Sequence, residues 1–170
     1  NPQIATIDFL KGIPTRLNGV DMSGLELISS LNSLAGKHGI GRSNIIEDRI
    51  LGIKAREIYE HPAATVILAA HADLELLTLT RQELSFKRMV DDRWSELAYM
   101  GLVHEPLFHD LNAFIAKSQE KVTGTVDVQL YKGCCRVLGR SSPESVYSGD
   151  LASFDSDSMD QTHAIGVSAY

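Results

Sequence analysis

Clustered positive charge, cysteine and long apolar runs are all scarce in this chain of 170 residues. Its formal net charge is -6 and no run of basic residues exceeds two, so it lacks the clusters that neutralise nucleic-acid phosphates. The two cysteines are adjacent, which excludes a long-range disulfide framework and favours a reducing compartment. No apolar stretch approaches the ~20 residues that a membrane-spanning helix needs. These absences predict no nucleic-acid partner, no membrane partner and a cytoplasmic location.

The remaining composition is that of an ordinary globular domain. Apolar residues make up 44% of the chain and charged residues 22%, and the length suits one domain with a sizeable core. The chain begins with Asn1-Pro2 rather than methionine and enters a predicted strand almost at once. We therefore expect it to be part of a longer polypeptide, with its function shared with residues outside it.

Periodicity predicts an α+β domain in which hairpins flank a helical middle. Ser23 and Glu26 have the spacing of a helix capping box, and Pro62 suits the first position of a helix. The helix after Pro62 is apolar on most sides, so we expect it to be buried in the core or against a neighbouring subunit. Predicted strands cover residues 4–9, 14–17, 44–53, 123–130 and 134–138. Predicted helices cover 23–36, 63–79, 81–99 and 106–118. A short helical turn is predicted over 142–146, and weak order from 150.

Charged side chains interrupt the predicted strand over residues 44–53. In a strand, Glu47 and Arg49 would share one face and Asp48 would lie on the other. An unpaired buried charge costs on the order of several kcal/mol, so this strand either has a solvated face or meets a polar ligand. A weak surface ion pair at a sheet edge, either Glu47–Arg49 or Asp48–Arg49, is the more common arrangement. In the alternative, Glu47 presents its carboxylate to a cationic or amide-bearing ligand.

Tyr59 is a second candidate, at what the pattern predicts to be a helix start. A lone tyrosine there is usually half-buried with its hydroxyl on water. Lys54 and Arg56 lie between the two candidates, and their charges favour a structural salt bridge or a solvated face. We leave both of them out of the predicted site.

Other constellations are weak, and we predict no metal site and no catalytic side chain. His71 and Asp73 are two residues apart and would point to different sides of a helix. Cys134 and Cys135 lie in a predicted hairpin strand, where packing is the simplest role. No Ser-His-Asp arrangement has positional support.

Five separated blocks of the chain resemble one family, in that family's order. They are AGKHGIGR at residues 35–42, Glu47-Asp48-Arg49, IYEHPAAT at 58–65, IAKSQEKVTGTV at 115–126 and LGRSSPESVY at 138–147. On these blocks the chain resembles the argininosuccinate synthases, ligases that join citrulline to aspartate at the expense of ATP. The resemblance covers almost the whole chain but only the C-terminal part of the family's polypeptide.

The resemblance implies that residues 1–170 are a C-terminal catalytic and multimerisation domain. It implies that Glu47 and Tyr59 bind citrulline, because both match the family's positions and its spacing of 12 residues. The family binds ATP through an SGGxDTS loop near its N-terminus, which is not found here. We therefore expect ATP, with Mg, to bind mainly to an N-terminal domain, and the isolated chain to be inactive. Aspartate is the second substrate implied, and the implied assembly is a homotetramer.

Two alternatives to the function implied by the resemblance remain open. The first is a stand-alone α+β binding or oligomerisation module that needs no nucleotide domain. The second, more remote, is a metal hydrolase that uses His71 and Asp73.

Overall fold

Residues 1–149 are described by the computed structural model, and they form seven strands and four helices. This mixture of antiparallel strands and helices confirms the predicted α+β class. The elements are β1 (Gln3–Leu10), β2 (Ile13–Leu17), β3 (Val20–Asp21), α1 (Gly24–Gly36), β4 (Arg42–Asp48), β5 (Lys54–Glu60), α2 (Pro62–Thr78), α3 (Arg81–Tyr99), α4 (Pro106–Gln119), β6 (Gly124–Tyr131) and β7 (Cys134–Ser141).

A five-stranded antiparallel sheet, in the order β3-β2-β1-β6-β7, forms the base of the domain. Its central pair, β1 and β6, joins segments more than a hundred residues apart. Alternate side chains point to one face, so Ala5, Ile7 and Phe9 are buried in the core. Between these core positions, the Thr6 hydroxyl donates to the Asp127 carboxylate at 2.6 Å. The two hairpins predicted at the ends of the chain therefore meet in one sheet.

Helix α1 begins as predicted and packs on this sheet. The Ser23 side chain accepts from the Glu26 amide, and the Glu26 carboxylate accepts from the Ser23 amide, which completes the capping box. Leu27 and Leu31, one turn apart, are fully buried. Ile28 is 46% exposed, because it lies about 100° around the helix axis from Leu27.

Helix α2 begins at Pro62, as predicted, and lies in the core on only one side. Val66, Ala70 and Leu74 are fully buried, whereas Leu68 is 67% exposed and Leu76 is 60% exposed. The expectation of a helix buried in the core is therefore confirmed for one face. Within residues 1–149, no helix is both long enough and apolar enough to cross a bilayer.

A buried polar cluster joins α2 to α3 and α4. The Lys87 ammonium on α3 lies 3.2 Å from the Glu75 carboxylate on α2 and 2.6 Å from the Asp91 carboxylate. The Gln119 amide on α4 donates to Glu75 at 2.6 Å, and its oxygen lies 2.8 Å from a ring nitrogen of His71. Burial by itself lowers the pKa of Lys87, but the hydrogen bond to Asp91 and the charge of Glu75 outweigh it and raise that pKa. Lys87 is therefore a cation that holds α3 to α2.

The segment between α1 and α2 departs from the sequence prediction. A single strand over residues 44–53 is wrong, and so is a helix start at Tyr59. The chain instead reverses after β4: the Gly52 amide donates to the Arg49 carbonyl at 2.7 Å, and the Arg49 amide to the Ile53 carbonyl at 2.8 Å. Gly52 has a φ of +76°, which glycine adopts without steric strain. The charged strand is thus the first half of a β4–β5 hairpin, and Tyr59 lies on the second half.

The short helical turn predicted over residues 142–146 is also absent; only a turn at Pro143 and Glu144 forms. The Ser142 hydroxyl accepts from the Glu144 amide at 3.0 Å, and the Val146 amide donates to the Leu77 carbonyl at 2.9 Å. The last carbonyls of a helix lack partners within the helix, so the Leu77 carbonyl near the end of α2 is available to this segment. The weak order expected from residue 150 lies outside the described residues.

Replacing Lys87 tests the polar cluster. Lys87→Met leaves the buried Glu75 carboxylate without its cation, and we expect it to lower the free energy of unfolding by about 3 kcal/mol. Lys121→Met is the matched control, because Lys121 pairs with Glu83 at 3.0 Å while its side chain is 52% exposed. We expect that change to be below about 1 kcal/mol. Urea unfolding of this chain measures both, and equal losses would contradict the role of Lys87.

Gly41 lies directly before β4, and its carbonyl accepts from the amide of His61, directly before α2. Its φ is +81°, and a Cβ there would lie 2.6 Å from the backbone carbon of His61. In Gly39→Ala, the matched control, φ is +70° and nothing lies within 4 Å of the added Cβ. We expect a loss of about 1–2 kcal/mol for the backbone conformation in both variants. Gly41→Ala should lose a further ~1–3 kcal/mol from the clash, and equal unfolding free energies would refute this.

Candidate functional site

The β4–β5 hairpin carries both predicted site residues. Its register places Ser43 opposite Tyr59, and Glu47 opposite Ala55. Residues directly opposite one another in an antiparallel pair share a face, so Glu47 and Tyr59 lie on the same side of the hairpin. The spacing of 12 residues is therefore a consequence of the reversal between them.

Glu47 and Tyr59 are in direct contact. The Tyr59 hydroxyl donates to Oε2 of Glu47 at 3.1 Å, diagonally across the hairpin. Desolvation raises the pKa of Tyr59, and the hydrogen bond to Glu47 and that carboxylate's charge raise it further. Tyr59 thus stays protonated at neutral pH and remains a donor. The pair combines one hydroxyl with one carboxylate acceptor.

Arg49 completes this face of the hairpin from the first position after β4. Its guanidinium lies 3.4 Å from Oε1 of Glu47 and also pairs with the Glu57 carboxylate on β5. Two carboxylates therefore share one cation, which leaves the face with an excess negative charge. Such a face favours ligand groups that donate hydrogen bonds, such as an ammonium or N–H groups.

The opposite face of the hairpin holds the charges that we left out of the site. Lys54 pairs with Asp48 at 2.6 Å, and Arg56 donates to the Asn44 side chain at 2.9 Å. These pairs are surface interactions, as predicted for Lys54 and Arg56. The two faces thus carry separate polar networks.

Tyr99, at the end of α3, fastens the hairpin to the helices. Its hydroxyl donates to the backbone carbonyl of Asp48 at 3.1 Å. The donor and acceptor are 51 residues apart, and no sequence pattern relates them. This contact supports the strand next to Glu47 from outside the hairpin.

Both candidate side chains are partly accessible to solvent within residues 1–149. Tyr59 is 40% exposed, and the Glu47 side chain is 23% exposed. The clefts between α2, α3 and α4, and the cavity of about 450 Å³ beside Asp73 and Arg140, are lined by other residues. Within residues 1–149, a ligand that contacts Glu47 and Tyr59 would therefore meet one face of the hairpin.

The weaker candidates have partners elsewhere. His71 faces the Gln119 amide, whereas Asp73 pairs with Arg140 on β7, so the two side chains point apart. Among residues 1–149, no group of three or more His, Cys, Asp or Glu side chains is arranged to hold a metal ion. Burial raises the pKa of the Cys135 thiol, which makes it a poorer nucleophile and agrees with a packing role.

Comparison with known proteins shows the family to which the chain belongs. A family model described as the arginosuccinate synthase C-terminal domain matches residues 1–170. The argininosuccinate synthase of Methanosarcina barkeri is 62% identical over 169 residues, and that of Archaeoglobus fulgidus is 57% identical over 169. The one from Methanocaldococcus jannaschii is 51% identical over 168 residues. Each match covers 99% of this chain but only 42–43% of the relative, so the chain spans less than half of their length. The chain belongs to the argininosuccinate synthase family and corresponds to its C-terminal domain.

Proposed function

We propose that this chain is the C-terminal part of an enzyme that condenses citrulline with aspartate, using ATP and releasing AMP and pyrophosphate. Family membership supports the reaction. The observation that carries the role of this part is the contact between the Tyr59 hydroxyl and the Glu47 carboxylate, at 3.1 Å on an accessible face. In this proposal the pair forms one wall of the citrulline site.

The chemistry explains why no nucleophilic side chain is needed. Citrulline's ureido oxygen attacks the α-phosphorus of ATP, and an O–P bond forms as the bond to pyrophosphate breaks. Aspartate's amine then attacks the ureido carbon, a C–N bond forms, and AMP leaves with the ureido oxygen. Both steps depend on positioning and charge stabilisation.

Glu47 and Tyr59 supply the positioning from this chain. The Glu47 carboxylate has about four acceptor sites. Tyr59 uses one and Arg49 faces another, so acceptors are left for the N–H groups of a ligand. Citrulline offers such groups at its α-amino end and at its ureido end. The excess negative charge on this face also disfavours the binding of a ligand's carboxylate group at the same position.

ATP and the remaining contacts belong to the rest of the enzyme in this proposal. Mg bound with ATP is typically held by one or two carboxylates together with the phosphates, so we expect its ligands beside the phosphates. ATP, with its Mg, would bind mainly to the N-terminal domain. We assign aspartate to that domain as well.

The same proposal includes a homotetramer and a cytoplasmic location. Large apolar side chains exposed on two helices support contacts with other parts of the assembly: Leu68 and Leu76 on α2, and Met89, which is 66% exposed, on α3. Light scattering of the full-length enzyme measures the assembly.

Substitution of the pair tests the citrulline wall. In the full-length enzyme, we expect Tyr59→Phe to raise KM for citrulline about tenfold, and Glu47→Gln by about 10–100-fold, as lost hydrogen bonds to a charged group would. KM for ATP and for aspartate should stay within about twofold. Asp48→Asn, on the opposite face, is the matched control. An unchanged citrulline KM in both variants would reject the proposed role.

The isolated chain gives a second test. Purified residues 1–170 should not convert citrulline, aspartate and ATP to AMP, because the ATP-binding part is not in this chain. Addition of the separately expressed N-terminal part is the control that should restore turnover if the two parts associate. Turnover by residues 1–170 alone would contradict the proposal that ATP binds mainly to another part of the enzyme. A parent gene without an SGGxDTS loop upstream would favour the stand-alone module instead.

A further inference from the structure

For Arg49 on the candidate face, the sequence predicts only a weak surface ion pair, and the family resemblance assigns it no role in the site. It follows β4 directly, at the position where the chain reverses, and its guanidinium reaches back over the hairpin. Nη1 lies 3.4 Å from Oε1 of Glu47, and Nη2 donates to the Glu57 carboxylate. One guanidinium therefore bridges both strands.

This bridge is more enclosed than the ion pairs on the other face. The side chains of Glu47 and Glu57 are 23% and 30% exposed, and that of Arg49 is 50% exposed. In the Lys54–Asp48 pair, the corresponding values are 67% and 61%. Fully exposed pairs hold a side chain weakly, whereas a planar guanidinium fork with partly enclosed partners fixes direction as well as distance.

The two oxygens of Glu47 consequently have different partners. Oε1 faces Arg49 and Oε2 accepts from Tyr59, so the plane of the carboxylate is fixed at both ends. Without Arg49, the like charges of Glu47 and Glu57 would repel each other across the hairpin, and the Glu47 side chain could rotate away from Tyr59.

We infer that Arg49 is a positioning residue for the citrulline site, anchored by Glu57, and that it acts by orienting the Glu47 carboxylate. This inference rests on the proposed function of Glu47. Arg49 itself does not need to contact citrulline.

The test uses the full-length enzyme and the variants Arg49→Met, Arg49→Lys and Glu57→Gln. Arg49→Met should raise KM for citrulline about tenfold and leave KM for ATP and aspartate within about twofold. Arg49→Lys keeps the charge but not the fork, so it should recover only part of the loss. Glu57→Gln should raise KM for citrulline by about threefold, because Arg49 keeps its bond to Glu47 but loses its anchor.

Lys54→Met is the matched control, since it removes a cation from an ion pair on the other face of the same hairpin. We expect its citrulline KM to match that of the unmodified enzyme. An increase equal to that of Arg49→Met would mean that any lost charge loosens the hairpin, and would overturn the inference. Thermal unfolding of each variant reports loss of the fold.

A double-variant cycle separates positioning from an independent effect. If Arg49 acts through Glu47, then Arg49→Met should change citrulline KM little once Glu47→Gln is present. Full additivity of the two losses would overturn the inference while leaving the role of Glu47 intact. An unchanged citrulline KM in Glu47→Gln alone would overturn the proposed function and this inference with it.

Discussion

The pairing of β1 with β6 is the constraint on which the rest of the domain depends. It joins the start of the chain to a strand more than a hundred residues later, and it forms the centre of the five-stranded sheet. One face of this pair supplies the core, against which α1 and α2 pack. On its other face, hydrogen bonds such as that from the Thr125 hydroxyl to the Asp8 carboxylate at 2.6 Å reinforce the register. The chain between β1 and β6 is thereby held at both ends, and the β4–β5 hairpin lies within this segment.

The β4–β5 hairpin brings Glu47 and Tyr59, which are 12 residues apart in the sequence, into contact. A two-stranded hairpin has marginal stability by itself, so it needs support from outside. Here the support comes at the base, where the His61 amide donates to the Gly41 carbonyl at 2.9 Å, and near the tip, where Tyr99 donates to Asp48. Between these two points, Glu47 and Tyr59 meet on an exposed face. Within residues 1–149, the hairpin is thus a face supported at both ends, and this face would form one wall of the proposed site.

Local signals in the sequence were enough for most of the fold. Ser23 with Glu26 and the proline at position 62 marked helix starts correctly, because capping and the proline ring act within one turn. The reversal at Gly52 was missed, although a glycine after an apolar run is a turn signal and the following residues alternate as a strand does. Because of that error, the strand position of Tyr59 was also missed.

Local sequence signals were also not enough to predict the contacts of the candidate site. Glu47 and Tyr59 were found through a family resemblance, while the contact between them depends on the hairpin register. The bridge from Arg49 to Glu57 and the support from Tyr99 are contacts between elements, so no spacing rule along the chain identifies them.

A crystal structure of the full-length enzyme with citrulline bound is the most direct measurement of the role assigned to the hairpin. The Glu47 carboxylate should lie within about 3.2 Å of a citrulline nitrogen, and the Tyr59 hydroxyl should lie within hydrogen-bonding reach of the same ligand. Citrulline bound out of reach of both side chains would contradict the central claim that this face forms one wall of the site.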